Sequence, residues 1–189
     1  NQLGGVYLDI IKDRQYTTQQ NSDIRRSAQT AMKLMIDQLV ILVAPILSFT
    51  AEEIWQNDAD LKANKASVFL AELDSIPDFD SNLDHDSWSR LLEIKDNVNQ
   101  KIEESRNAGE IKGSLDTNIE LTVNTSDFQL LNNLSTELHF FFIVSACNLV
   151  EGDNLEVRIK QSTFEKCTRC WHRNNSVSKS LKHPELCNR

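Results

Sequence analysis

Residues 23–47 read DIRRSAQTAMKLMIDQLVILVAPIL, and their spacing sets the fold class. Ala28, Ala31, Met35, Leu39, Leu42, Val43 and Ile46 recur at the three- and four-residue intervals of one helical face, in a stripe that broadens toward its end. The pattern predicts a long buried helix from Asp23, with Ser22 as its cap. Pro45 has no amide hydrogen to donate, so a kink or break is expected there. Thr50 and Glu53 then offer a capping box for a further segment carrying Ile54 and Trp55. Leu39 to Leu47 is about half of the roughly 20 apolar residues that a bilayer span requires, so the run reads as core.

Working outward, residues 57–86 are rich in Asp, Asn and Ser and read as an irregular connection, with an extended patch at Ser67 to Leu70 and a break at Pro77. Helical period returns with Trp88, Leu91, Ile94, Val98 and Ile102, and Gly109 is placed to end that second long helix. Trp55 and Trp88 both fall on apolar faces and read as core. Leu115, Thr117, Ile119, Leu121 and Val123 then alternate as in a half-buried strand. Phe128, Leu131, Leu134 and Leu138 resume helical spacing, Phe140 onward is ambiguous, and Val144–Val150 and Leu155–Ile159 fit two short strands. The expected fold class is mainly α. A helical bundle spans 1–113 (with 57–86 as its irregular connection), a small α+β junction unit spans 114–160, and a cysteine-bearing module spans 161–189.

Composition narrows the function. The chain has 189 residues with 20 basic and 28 acidic side chains, a net charge of −8, and 40% hydrophobic residues, which is ordinary for a folded chain and unlike a disordered or collagenous one. Five glycines form no phosphate-cradling cluster, so a nucleotide-binding loop has no support here. The start has neither Met nor the basic and cleavage features of a secretory signal, so a fragment of a cytoplasmic protein is expected. Charge is segregated: residues 114–156 carry seven acidic and no basic groups, whereas 157–189 carry eight basic and two acidic ones. That basic tail surrounds Trp171 and His172, a combination suited to phosphate neutralisation and base stacking, which points to RNA.

The four cysteines carry unequal information. Cys147 stands alone in a strand-like segment and reads as a small buried hydrophobe. Cys167 and Cys170 form C-x-x-C, and Cys187 follows after sixteen intervening residues, three parts of a two-knuckle zinc spacing whose fourth thiolate would come just past Arg189. Cys167, Cys170 and Cys187 are therefore the candidate ligands of a structural zinc, with His172 or His183 as the alternative fourth ligand. A redox C-x-x-C would want a thioredoxin-like context and a disulfide a secreted one. Trp171, Val177, Leu181 and Leu186 are too few to fold the tail by burial, so it should depend on metal.

Together these residues carry a resemblance. YLDIIKDR (7–14), RRSAQT (25–30) and APILSFTAEEIW (44–55) are similar to the helical anticodon-binding domain of class I aminoacyl-tRNA synthetases for isoleucine, valine and leucine. CTRCW (167–171) with HPELCNR (183–189) resembles the zinc-binding module, a ribbon or knuckle, of bacterial-type isoleucyl-tRNA synthetases, and residues 101–115 resemble that family's junction. Three departures stand out: the catalytic domain with its HIGH and KMSKS motifs and the editing domain are absent, the sequence stops before the fourth thiolate, and Ser178 follows Val177 where many relatives have Gly.

The resemblance implies a part of an isoleucine-tRNA ligase that recognises tRNA and is itself catalytically inactive, with ATP used only in a catalytic domain outside these residues. It implies isoleucine tRNA as partner, bound at its anticodon stem and loop, with no DNA or membrane and a monomeric parent. Trp171 with Arg169 or Arg173 become the stacking and base-edge candidates, Lys166, Lys179 and Lys182 the phosphate contacts, and Lys12, Arg14, Arg25 and Arg26 a second basic surface. The alternatives are a stand-alone zinc-containing RNA-binding module, a zinc knuckle that docks another protein chain, or the same region of a valine- or leucine-specific enzyme.

Overall fold

A computed structural model describes residues 3–73 and 83–188. Its elements are α1 (Leu8–Tyr16), α2 (Asp23–Val43), α3 (Ser48–Asn57), α4 (Ala59–Asn64), α5 (His85–Asn107), β1 (Thr117–Val123), α6 (Thr125–Asn132), α7 (Leu138–Phe141), β2 (Ala146–Glu151) and β3 (Glu156–Gln161). The protein is mainly helical with one small sheet, as the periodicities imply. It packs as two compact units, Gln19–Asp80 and a second made of Asn1–Thr18 with Ser81–Arg189, so the span 1–113 contributes to both. Among the described residues no helix is long and apolar enough to cross a membrane.

In the unit Gln19–Asp80, Ser22 caps α2 by accepting from the Arg25 amide. The helix stops at Val43 because Pro45 cannot donate to the Ile41 carbonyl. Three expectations need correction here. First, α3 begins at Ser48, before the Thr50 box, because the Val43–Leu47 turn leads straight into it: the Ala51 amide already donates to Leu47 O. Second, 57–73 is less irregular than its composition suggests. Asp58 accepts from the Asp60 and Leu61 amides to open α4, while Ser67 caps a single 3-10 turn, Val68–Leu70, in place of the extended patch. Third, α2 is not wholly buried: Ala28 and Val40 are, but Leu34, Ile36, Leu39 and Leu42 stay exposed. The rest of the 57–86 connection around Pro77, and Arg189, lie outside the described residues.

The small core of this unit joins Val40, Ala44, Ala51, Trp55, Leu61 and Val68. Trp55 is the core residue expected, and its Nε1–H donates to Lys65 O at 2.8 Å. Glu52 accepts from Ser67 Oγ and the Val68 amide, which pins the 3-10 turn beside α3.

In the other unit, Asp84 caps α5 by accepting from the Ser87 amide at 2.8 Å. Gly109, at φ 76°, ends the helix: its amide donates to Arg106 O and that of Glu110 to Ser105 O, which satisfies two terminal carbonyls. Leu91, Ile94, Val98 and Ile102 face the alternating Ile119, Leu121 and Val123 of β1 and, with Leu131, Leu138, Phe141, Phe142 and Val144, form the main core. Lys95 is buried among them. Its Nζ donates to Phe141 O, and desolvation lowers its pKa. Trp88 packs on this core edge-on to Phe141.

The sheet order is β2-β1-β3, with β1 parallel to β2 and antiparallel to β3. The β2–β3 link must therefore cross the end of β1. Gly152 makes the crossing: its amide donates to Val123 O at 2.8 Å, and a Cβ there would lie 2.5 Å from Thr122 Cγ2.

Candidate metal centre and basic surface

Past β3 the chain has almost no regular structure among its described residues; a lone antiparallel bridge joins Lys166 to Arg173. Within that bridge, residues 167–170 make a tight turn. The Trp171 amide donates to Cys167 O and the Cys167 amide to His172 O, both at 2.9 Å. Cys187 returns to this turn, its amide donating to Cys167 Sγ at 3.4 Å. The three sulfurs lie within 4.8 Å of one another, Cys167 and Cys170 buried and Cys187 half-buried. Burial pushes the Cys167 thiol up, but amides of Cys170, Cys187 and Arg169 outweigh it and bring the pKa down to about 7. The spacing thus assembles a cluster in which a thiolate is accessible near neutrality.

The donor set fits zinc. Tetrahedral ligands at about 2.3 Å stand ~3.8 Å apart, and Cys170 Sγ lies 3.7 Å from Cys187 Sγ. Among the described residues, the hydrophobic side chains clustered with the sulfurs are Val177 and Leu186. Burying each contributes about 1.5–3 kcal/mol, against about 1–2 kcal/mol of backbone entropy for every residue ordered. Apolar burial alone therefore does not hold the module. Neither histidine joins the thiols: His172 Nε2 is taken by Asp13, and His183 is exposed, its Nδ1 lying 3.9 Å from Glu185. Cys147 is half-buried against the main core, where desolvation raises its pKa to about 12, in keeping with a packing role.

Trp171 projects from the turn, 61% exposed, with Lys166 Nζ 5.6 Å from its ring centroid. Its φ of 65° is unusual for a bulky side chain and costs about 1–2 kcal/mol. Arg169, Lys166, Lys179 and Lys182 are all exposed. Ser178 has φ 68°, the left-handed backbone that Gly favours.

The remaining candidates are placed differently. Arg173 is directed inward: Nε donates to Asp116 at 2.8 Å, Nη1 to Phe164 O at 3.0 Å, and its amide to Ser145 Oγ at 2.7 Å. Arg14 donates to Glu137 at 2.6 Å and lies 5.5 Å over the Phe140 ring, which ties α1 to α7. Lys12 is exposed and paired with Asp9 at 2.6 Å. Arg26 is exposed and Arg25 half-buried at the start of α2, within the other unit. Sequence reasoning missed one pairing of Asp13: its carboxylate meets His172 Nε2 at 2.5 Å. No local pattern signals a contact between residues so far apart in the chain.

Comparisons with known proteins give the family. Residues 1–121 match the family model described as the anticodon-binding domain of tRNA ligase. The isoleucine–tRNA ligase of Teredinibacter turnerae is 42% identical over 201 residues, covering 99% of this chain and 21% of the relative. That of Saccharophagus degradans is 40% identical over 200 residues, with 100% and 21% covered. That of Dichelobacter nodosus is 42% identical over 189 residues, with 99% and 20% covered. The chain thus spans about a fifth of the length of these curated relatives.

Proposed function

Because the chain belongs to the anticodon-binding domain family of tRNA ligases, we propose that it is the tRNA-recognising part of an isoleucine-tRNA ligase, gripping the anticodon stem and loop of isoleucine tRNA. The observation that carries this reading is the similarity at about 40% identity, along essentially the whole chain, to isoleucine–tRNA ligases. Activation of isoleucine with ATP belongs to a catalytic region outside residues 1–189, in keeping with the absence of a phosphate loop and of HIGH and KMSKS motifs.

Cys167, Cys170 and Cys187 would hold a zinc ion whose chemistry is structural, a cross-link that closes the residue 161–189 module. Trp171 offers its exposed indole face to an unpaired anticodon base, and the exposed Arg169 is the candidate for a base edge. Lys166, Lys179 and Lys182 meet phosphates, with Lys12, Arg25 and Arg26 as further cations. Arg173 and Arg14 are engaged within the protein, by Asp116 and Glu137.

The test is titration of labelled isoleucine tRNA with the metal-loaded chain. Trp171→Ala should weaken binding by about 5- to 150-fold, the loss of one stacked base at 1–3 kcal/mol. Affinity should also fall steeply with salt. Salt-insensitive binding, or equal affinity for an unrelated tRNA, would refute the assignment.

A further inference from the structure

We propose that Asp13 and His172 form a latch between α1 and the cysteine knuckle, so that metal retention and the order of the first helix are one linked equilibrium, with both residues acting as positioning residues for Trp171. His172 directly follows Trp171, its side chain only 4% exposed, and its Nε2–H donates to the Asp13 carboxylate at 2.5 Å. The ring stands edge-on to His139 with centroids 6.1 Å apart, and 6.2 Å from the Phe140 ring that Arg14 covers. Its Nδ1 is buried with no hydrogen-bond partner among the described residues, so Asp13 is the one polar anchor of this imidazole.

Each side of the latch is weak alone. α1 has nine residues and one buried side chain, Ile11, too little to hold a helix in isolation. The knuckle has three sulfurs, Val177 and Leu186. Trp171 keeps its left-handed backbone only while both neighbours are held, Cys170 among the thiols and His172 on Asp13. Ordering one end therefore lowers the cost of ordering the other.

The link to tRNA rests on the function proposed above, whereas the latch does not, and the experiment separates them. Co(II), which reports thiolate ligation by its charge-transfer band, is titrated into the whole chain. Asp13→Ala should weaken cobalt binding about tenfold through loss of a buried bond to a charged group. Asp13→Asn, which still accepts from Nε2–H, should recover most of that. His172→Ala added to Asp13→Ala should cost no more than either change alone. In the unmodified chain, a chelator should accelerate amide exchange in Leu8–Tyr16 and leave His85–Asn107 protected. Cobalt affinity within twofold of the parent in Asp13→Ala, or α1 exchange indifferent to metal, would overturn the latch. The latch stands on the cobalt and exchange results whether or not tRNA binding changes; tRNA affinity unchanged by Asp13→Ala while cobalt binding weakens counts against the role of Trp171 instead.

Discussion

Asp127→Asn is the most quantitative probe of the unit that carries the knuckle. Asp127 accepts from Arg90 Nε at 3.0 Å and Nη2 at 2.8 Å, with Asn124 Nδ2 at 3.2 Å, and its side chain is 7% exposed. It also sits in the first turn of α6, where Asn124 caps by accepting from the Asp127 amide. A bond to a charged group contributes about 1.5–3 kcal/mol. Arg90 is partly solvated, and Asn keeps one acceptor, so the net loss should be about 1–2 kcal/mol. For a chain of this size that lowers Tm by about 2–8 °C.

The pH dependence gives a second check. The Arg90 guanidinium, against some desolvation, holds the Asp127 carboxyl below its ordinary value of 3.8. The folded state thus binds fewer protons than the unfolded one between the folded pKa and 3.8, and the stabilisation is present above 3.8 and lost as pH falls through the folded pKa. Calorimetry from pH 7 to pH 3 should show the gap between parent and variant narrowing at the acid end. A gap that stays constant, or a variant as stable as the parent at pH 7, would refute the reasoning.

Gly152→Ala forces a Cβ to 2.5 Å from Thr122 Cγ2 and should cost about 1–3 kcal/mol as overpacking, read as a lower Tm; an unchanged Tm would mean that the β2–β3 crossing relaxes freely. Ser178→Gly should stabilise the metal-loaded module by up to about 1 kcal/mol by relieving a left-handed backbone, scored as a higher chelator midpoint, even though the bond from Ser178 Oγ to Glu165 is lost. Cys170→Ser should abolish tight cobalt binding while Cys147→Ser leaves it intact, because only Cys170 lies in the thiol cluster; comparable losses in both would contradict the assignment of ligands.

What was legible in the residues was what is encoded locally. The stripe through Leu91, Ile94, Val98 and Ile102, the alternation in β1 and the Gly109 stop each concern neighbours within one or two turns, and each appears in the structure where its pattern lies. The thiol cluster was legible because C-x-x-C brings Cys167 and Cys170 together in one turn and Cys187 stands at a spacing that two-part metal sites use. α4 escaped because six residues are too few to display a period, and its signal is the Asp58 cap alone. The Ser67 turn escaped because Val68 to Leu70 matches a buried strand as well as a turn when Glu52 is out of view. Cations were the hardest to place. Arg14, Arg173 and Lys179 look alike as letters, and only the acidic partners Glu137 and Asp116, far along the chain, turn the first two inward.

The division of the chain has a temporal consequence. Gln19–Asp80 is an insertion between Thr18 and Ser81, with the flanking pieces making the other unit. On a ribosome the inserted unit is finished first, while α1 has already emerged with nothing to dock on. α1 must wait for Glu137 and then for His172, near the end of these residues, before its partners exist. Translation thus leaves α1 undocked until residue 172 has emerged, and a pause or truncation before that point would release a product in which α1 lacks its His172 partner.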